Sequence, residues 1–251
     1  TYNCHSSMAN DNLSGIIVTK YLINFFQKKK KLKKSIRFIF IPETIGSIAY
    51  ISKNLKNLKK NVIGGYNLTC IGDNQSHSCL LSKYKKSASD LSLLKAYKDL
   101  KIKSYKIYPF KERGSDERQF NSPGIDIPLT SIFRTKYNEY KEYHTSLDNF
   151  DLVNIKGIRG GYNVTKTAIL NLLKIIIPKP KVLCEPQLGR RGLYPRVSIK
   201  SNKNADLKRF SNFLQYADGK NTIEQICEFL NLKINETEKI YKILKKHKLV
   251  I

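Results

Sequence analysis

The 251-residue chain is poor in histidine, with four, and poor in acids, with 20 Asp and Glu against 46 Lys and Arg. It has no run of the ~18–20 apolar residues that a membrane-spanning helix needs, which excludes an integral helical membrane protein. Residues 1–15 lack a basic stretch followed by an apolar one, so they do not read as a signal peptide. Five cysteines, Cys4, Cys70, Cys79, Cys184 and Cys227, are odd in number. Their spacing fits neither a zinc ribbon nor a disulfide framework, so reduced thiols in the cytoplasm are expected. The first residue is Thr rather than Met, and the chain reads as the C-terminal part of a longer protein.

What is present is a hydrophobic fraction of 41%, enough for a core, and a formal net charge of +26. Such a charge points toward nucleic acid. Much of it is scattered lysine in a chain rich also in Asn, Ile and Tyr, as an AT-rich genome produces whatever the function. The densest run, KKKKLKK at 28–34, closes a predicted helix, where lysines suit the negative end of the helix dipole.

Apolar periodicity predicts helices over 13–27, 44–58 and 87–100 and within 151–177, with Ser87 or Ser89 capping the third. Short β-branched and aromatic runs predict strands at 36–41, 61–71, 104–110 and 126–134. This alternation argues for an α/β fold with a largely parallel sheet, its site at the C-terminal strand ends. Pro178 and Pro180 end the last of these helices, and 181–196 is a connector with Arg190 and Arg191 pinning it. Three further helices are expected at 205–217, 222–230 and 235–247, with Thr222 and Asn235 as caps and Asp218-Gly219 and Asn231 as breaks. A closing strand at HKLVI would complete a winged-helix arrangement. The boundary between the two domains is placed between 195 and 196.

Two of the histidines stand in polar motifs: His5 in NCHSSMANDNLSG and His144 in EYHTSLDNFDLV. Asn10, Asp11 or Asn12 could simply cap the first helix. The alternative is a metal site. Zinc accepts His nitrogen and carboxylate oxygen and leaves a position for water. His5, Asp11 and His144 could then hold one ion, with Glu43 of FIPETIGS as general base. In ERGSDERQF, Glu112, Arg113, Asp116 and Arg118 alternate in sign; they read as a surface ion-pair cluster or as a substrate-binding group, in which Arg113 or Arg118 would take a carboxylate or phosphate.

HSSMANDNLSG, FIPETIGS, ERGSDERQF with GIDIP, and YHTSLDNFDLV, in that order, resemble the DUF4910 aminopeptidase-like proteins, distant relatives of the M28 zinc aminopeptidases. The resemblance runs from residue 1 to about residue 195, and the remainder resembles the winged helix-turn-helix that ends the same proteins. It implies a three-layer, mixed-sheet zinc-aminopeptidase fold, truncated at its N-terminal side. It implies His5 and Asp11 as the first metal histidine and the metal-bridging aspartate, His144 as the last metal histidine, and Tyr143 as a residue that steadies an oxyanion. Asp73 in CIGDN is the candidate for the remaining aspartate ligand. The M28 pattern has two adjacent glutamates, base then ligand; here Glu43 is followed by Thr44, which argues for one zinc ion rather than two. Ser6 stands where the family has Pro. The implied activity is amide hydrolysis on a peptide or an amino-acyl or N-acyl group, with an association with surface-polysaccharide synthesis. The alternative is a catalytically degenerate sensor or scaffold whose C-terminal domain binds nucleic acid. Against DNA binding, Glu236 and Glu238 occupy the first turn of the last helix and no arginine lies in it, which favours a packing or interaction module.

Overall fold

The structure is a computed structural model and describes residues 8–193 and 203–251. It divides into two compact units, residues 1–174 and 175–251. The division falls some twenty residues before the change of character read from the sequence. The reason is packing: Ile176, Val182, Leu188 and Leu193 of the connector join the C-terminal core with Phe213, Ile226 and Leu244.

The first unit carries helices α1 (Ser14–Gln27), α2 (Ile45–Asn61), α3 (Ala88–Asp99), α4 (Glu117–Phe120) and α5 (Ile155–Lys174). Its strands are β1 (Gly65–Leu68), β2 (Ser78–Leu80), β3 (Lys106–Tyr108) and β4 (Leu129–Phe133), in the order β1-β4-β2-β3. The β1–β4 and β2–β3 pairs are parallel, and β2–β4 is antiparallel, with Cys79 opposite Ile132. The sheet is therefore mixed. Strand alternation sends side chains to opposite faces. Leu68, Cys79 and Ile132 join Val18 and Leu22 of α1, Leu93 and Tyr97 of α3 and Val164 and Ala168 of α5. Leu80 and Phe133 instead meet Cys70, Tyr108, Tyr137 and Tyr140. Ile51 and Leu58 of α2 pack on Phe120 of α4 and Ile127, beside Leu129. Helices thus cover both faces, giving three layers.

Two strand expectations change, and two short elements were not anticipated. Residues 36–41 belong to no strand among the described residues. They run extended, with Ile36 and Phe38 against the core and Phe40 47% exposed. Composition favours a strand there, but only a paired neighbour makes one. The strand expected over 61–71 narrows to β1. β2 and α4, three and four residues long, carry too short a pattern to be read in advance. The α3 cap is Ser87, in a capping box with Asp90. Asp90 is fully buried and also accepts from Ser82 and from the Thr130 hydroxyl at 2.6 Å, tying α3 to β4.

The second unit has α6 (Lys203–Tyr216), α7 (Ile223–Leu230) and α8 (Ile234–Lys246). Thr222 caps α7 through a capping box with Gln225, and Asn231 ends it in the left-handed conformation. α8 is entered from Lys233 rather than capped by Asn235, with Glu236 accepting from the Lys233 N–H at 3.3 Å. The expected C-terminal strand is reduced to one bridge between Val250 and Pro180. Arg191 donates to the His247 carbonyl at 3.4 Å, within this unit. Among the described residues, no helix is long and apolar enough to cross a membrane.

One close approach sets the position of α5. A Cβ at Gly157 would fall against the carbonyl oxygens of Gly72 and Asp73. Only a residue without a side chain allows α5 to start there, and the loop after β1 is held in place by it. Gly157→Ala is expected to destabilise the protein by ~1–3 kcal/mol, the usual cost of overpacking, as read from a thermal or urea melt; an unchanged melt would show that the loop yields freely.

Candidate active site

The turn at Ala9–Leu13 precedes α1 and buries Asn10, Asp11 and Asn12. No side chain caps α1, so the polar run serves another end. Asp148, buried, accepts the backbone N–H of Asn10 at 2.6 Å and of Asp11 at 3.0 Å. The Asn10 amide oxygen accepts the N–H groups of Gly72 (2.7 Å) and Asp73 (3.2 Å), and its nitrogen donates to Asp73 Oδ2 at 3.1 Å. The turn is thereby fastened to two separate loops, after β1 and before α5.

The Asp11 side chain is then aimed at two partners. Its Oδ1 accepts from the Thr69 hydroxyl at 3.2 Å. Its Oδ2 lies 3.2 Å from His144 Nε2. His144 sits at φ +57°, in a region costly for residues with a side chain, and Tyr143 stacks on its ring with centroids 3.9 Å apart. Cys70, at φ +46°, and Thr44, at φ +61°, are the other left-handed residues near this loop set. Burial, followed by the Asp11 charge and Cys70 and Glu43, pushes the Tyr143 hydroxyl up, so it stays protonated at neutral pH.

Glu43 is half-buried before α2. Burial raises its pKa from the ordinary value; the Asp116 and Asp11 charges add to that, while a hydrogen bond from Ser115 and the Arg118 charge oppose it. Thr44 is held on both sides: its N–H donates to Asp116 Oδ1 at 2.8 Å, and its hydroxyl accepts from Arg118 Nη2 at 2.7 Å. Asp11, Glu43, Asp116, Tyr143 and His144, far apart in sequence, thus share one electrostatic neighbourhood. His5 lies outside the described residues. Asp73 is fully buried and turned to Asn10, Gln75 and Thr135, whose N–H and hydroxyl donate to it at 3.0 and 2.6 Å. Arg113 is exposed, with its guanidinium over the Phe110 ring at 5.1 Å.

Among the described residues, no group of three His, Cys, Asp or Glu side chains could hold a metal. The Asp11–His144 pair nonetheless offers carboxylate oxygen and imidazole nitrogen at one point, the donor types zinc takes. Sequence reasoning missed Asp148, Thr69, Ser115 and Glu117. Asp148 stood in the quoted motif four residues after His144, yet nothing local marked it as the anchor of a turn 138 residues away. Glu117 lay inside ERGSDERQF, where the alternating charges drew attention to its neighbours. A groove of about 750 Å³ runs beside the turn, lined by Ala9, Leu13, Ile17 and Tyr21 and by Phe150, Ile155, Ile158 and Tyr162.

Residues 1–174 match the family described as Domain of unknown function (DUF4910), and residues 177–251 match a winged helix-turn-helix family. The chain belongs to the DUF4910 family. A Clostridium acetobutylicum protein named for polysaccharide biosynthesis and an aminopeptidase-like domain is 37% identical over 233 residues, which cover 90% of this chain and 52% of that protein. A crystal structure of a protein from Clostridium acetobutylicum, designated a peptidase, superposes with a TM-score of 0.67 at 31% identity, covering this whole chain and 56% of the other. The chain therefore spans about half the length of these relatives. Two aminopeptidase structures show the same fold at lower identity. The Bacillus subtilis zinc aminopeptidase matches at TM-score 0.57 and 20% identity, over 64% of this chain and 41% of that one. The aminopeptidase from Aneurinibacillus matches at 0.57 and 22%, over 68% and 42%. The DUF4910 domain thus has an aminopeptidase-like fold, followed by a winged helix.

The raised pKa of Glu43 has a consequence for stability in the metal-free DUF4910 protein. The native state holds this proton more tightly than the unfolded chain does. Stability is therefore lost as pH rises from the ordinary glutamate range through the raised native value. Gln cannot ionise, so Glu43→Gln is expected to melt higher than the parent at neutral pH, the gap closing near about pH 4. Melting curves across pH on metal-free protein measure this; a variant that melts lower at pH 7 would contradict it.

Proposed function

We propose that this chain carries the catalytic residues of a zinc-dependent, aminopeptidase-type hydrolase that cleaves an amide bond. The observation that carries the reading is the convergence of Asp11 Oδ2 and His144 Nε2 at 3.2 Å, with Glu43 in the same electrostatic neighbourhood. His144 and Asp11 would hold the ion together with His5. One ion is favoured over two. The second Asp11 oxygen is engaged by Thr69, and Thr44 stands where a second carboxylate would follow Glu43. Asp73 serves the site indirectly, by fixing Asn10. When bound, zinc acidifies water and polarises an amide carbonyl.

The rest of the chemistry belongs to the side chains. Glu43 accepts the proton of the attacking water and returns it to the leaving amine; a carboxylate whose pKa is raised toward the working pH suits both steps. Tyr143, kept protonated, donates a hydrogen bond to the oxygen on which charge develops. Asp116 fixes the Thr44 backbone that carries Glu43, and Arg118, on the Thr44 hydroxyl, and exposed Arg113 would receive an anionic part of the substrate. The apolar groove beside the Asn10 turn would take an acyl or amino-acid side chain. The name of the Clostridium relative, which joins polysaccharide biosynthesis to an aminopeptidase-like domain, fits a peptide or an amino-acylated or N-acylated sugar as substrate.

The winged-helix unit is read as an interaction module. Lys239, Lys242, Lys245, Lys246 and Lys248 would favour nucleic acid, but Glu236 is committed to the start of α8, the turn a recognition helix offers to base edges. The rival, a degenerate sensor that binds DNA, requires affinity that falls steeply with salt and prefers particular sequences.

Metal analysis by mass spectrometry tests the site first. The intact protein is expected to hold about one zinc per chain, and His144→Ala to lose it. Full zinc retention in that variant removes His144 from the site. Turnover on a library of aminoacyl and N-acyl amides tests the base: Glu43→Gln is expected to keep its zinc and to lose ~10²–10⁴-fold in kcat. Loss of zinc together with activity would instead make Glu43 a ligand.

A further inference from the structure

The C-terminal ends of α1, α3 and α5 are bound to one another. Lys29 and Lys166 lie over the same Phe25 ring, 5.1 and 5.5 Å from its centroid. Lys34 Nζ donates to the Leu173 carbonyl at 2.9 Å, and Asn171 Nδ2 to Asp99 Oδ2 at 3.0 Å. The segments so joined, residues 28–34, 95–103 and 166–174, hold six, four and two lysines, a single acid, Asp99, and no arginine. All of these lysines except Lys34 and Lys166 are exposed. Helix dipoles do not account for the cluster. α1 ends at Gln27 with no basic residue in its last turn, so the lysine run lies past the point where the dipole acts. Each helix end carries about half a negative charge, and Asp99 adds one more, met by Lys95 at 2.7 Å. Together these offset only a small part of the positive charge.

We propose that this lysine pole is a peripheral docking surface for a bilayer carrying anionic headgroups. Charge complementarity points to a polyanion, and two observations choose the bilayer among polyanions. The first is apolar. Leu32, 37% exposed, stands inside the lysine run, and Leu100, 36% exposed, follows α3. Apolar side chains among lysines gain by entering the boundary between headgroups and acyl chains; a phosphate backbone offers them nothing. The second is the state of the groups that nucleic acids use. The three segments have no arginine to fork a phosphate or read a base. Phe25 is half-buried beneath two lysines, and Tyr105 is half-buried and stacked on Tyr97 with centroids 4.2 Å apart, so both rings are already engaged rather than open to a base. Lysine, a compact charge on a flexible stem, suits the diffuse field of a lipid surface, where each one raises affinity roughly fivefold. Such adsorption needs no spanning helix. The 14 residues of α1 set the pole ~20 Å from the Asn10 turn. Adsorption therefore leaves the candidate active site open to solvent, and the proposal rests on no reading of that site.

Flotation of the intact protein with phosphatidylcholine vesicles, with and without phosphatidylglycerol, tests this. The protein is expected to float with the mixed vesicles and not with pure phosphatidylcholine, and to be released as salt shortens the screening length. Lys28→Gln, Lys30→Gln, Lys31→Gln and Lys33→Gln together should lower the affinity by ~10²-fold or more. Arginine at the same four positions keeps the charge and should retain the binding. Leu32→Ser should weaken it several-fold. All five side chains are exposed, so melting should stay at the parent's value. The control removes the same charge from α8: Lys239→Gln, Lys242→Gln, Lys245→Gln and Lys246→Gln together should cost far less. Equal loss from both sets makes the effect one of net charge and overturns the proposal. Failure to float on the mixed vesicles overturns it as well. If duplex DNA is bound in their place, and that binding is lost with the four lysines of the 28–34 run, the pole belongs to nucleic acid instead.

Discussion

The carboxylate of Asp148 is the constraint on which the site depends. Two consecutive backbone N–H groups, of Asn10 and Asp11, end on its two oxygens. Charge-assisted hydrogen bonds of this kind are about twice as strong as neutral ones. They fix a turn whose residues would otherwise be expected to cap α1. With the turn held, one Asp11 oxygen meets the Thr69 hydroxyl and the other meets His144. Tyr140 reaches Asp148 Oδ2 at 3.4 Å as well, so the anchor is itself anchored in the aromatic core beneath the sheet.

The same device recurs through the first unit. Asp73, Asp90, Glu117 and Asp148 are buried, and each is satisfied by N–H and O–H donors. The ion pairs Lys83–Asp126, Lys95–Asp99 and Lys106–Glu139 involve partly or largely exposed side chains, where such pairs contribute little. In a chain of net charge +26 these four buried acids form much of the interior polar framework, alongside the buried Arg134 and Lys136. Burying a carboxylate is costly unless its lone pairs are filled, and here backbone N–H, hydroxyl and amide donors fill them. The loops at the ends of β1 and β4 and the starts of α1, α3 and α4 are joined by these centres rather than by apolar contact alone.

Glu43 differs from them. Burial and the charges of Asp116 and Asp11 disfavour its ionised form, and the Ser115 hydroxyl and the Arg118 charge oppose them. Left-handed backbone at Thr44, Cys70 and His144 clusters about this point, as strained residues do at functional sites.

Much of the fold was legible from the chain alone. Apolar spacing placed α1, α2, α3 and α5 within a few residues, and Ser87 and Thr222 were identifiable as caps because a cap is a local interaction between residues three apart. The motifs around Asp11, Glu43 and His144 were visible as polar islands beside apolar runs. Tertiary structure decided the rest. Residues 36–41 have the composition of a strand and no pairing among the described residues. β2 took its direction from β4, 53 residues away by the Cys79–Ile132 pairing. Which acid in ERGSDERQF is exposed and which is buried depends on Asn67, Ser131 and Tyr137, none of them near in sequence. Local propensity is written in neighbouring residues; the aim of a buried carboxylate is set by donors that only the folded chain brings within reach.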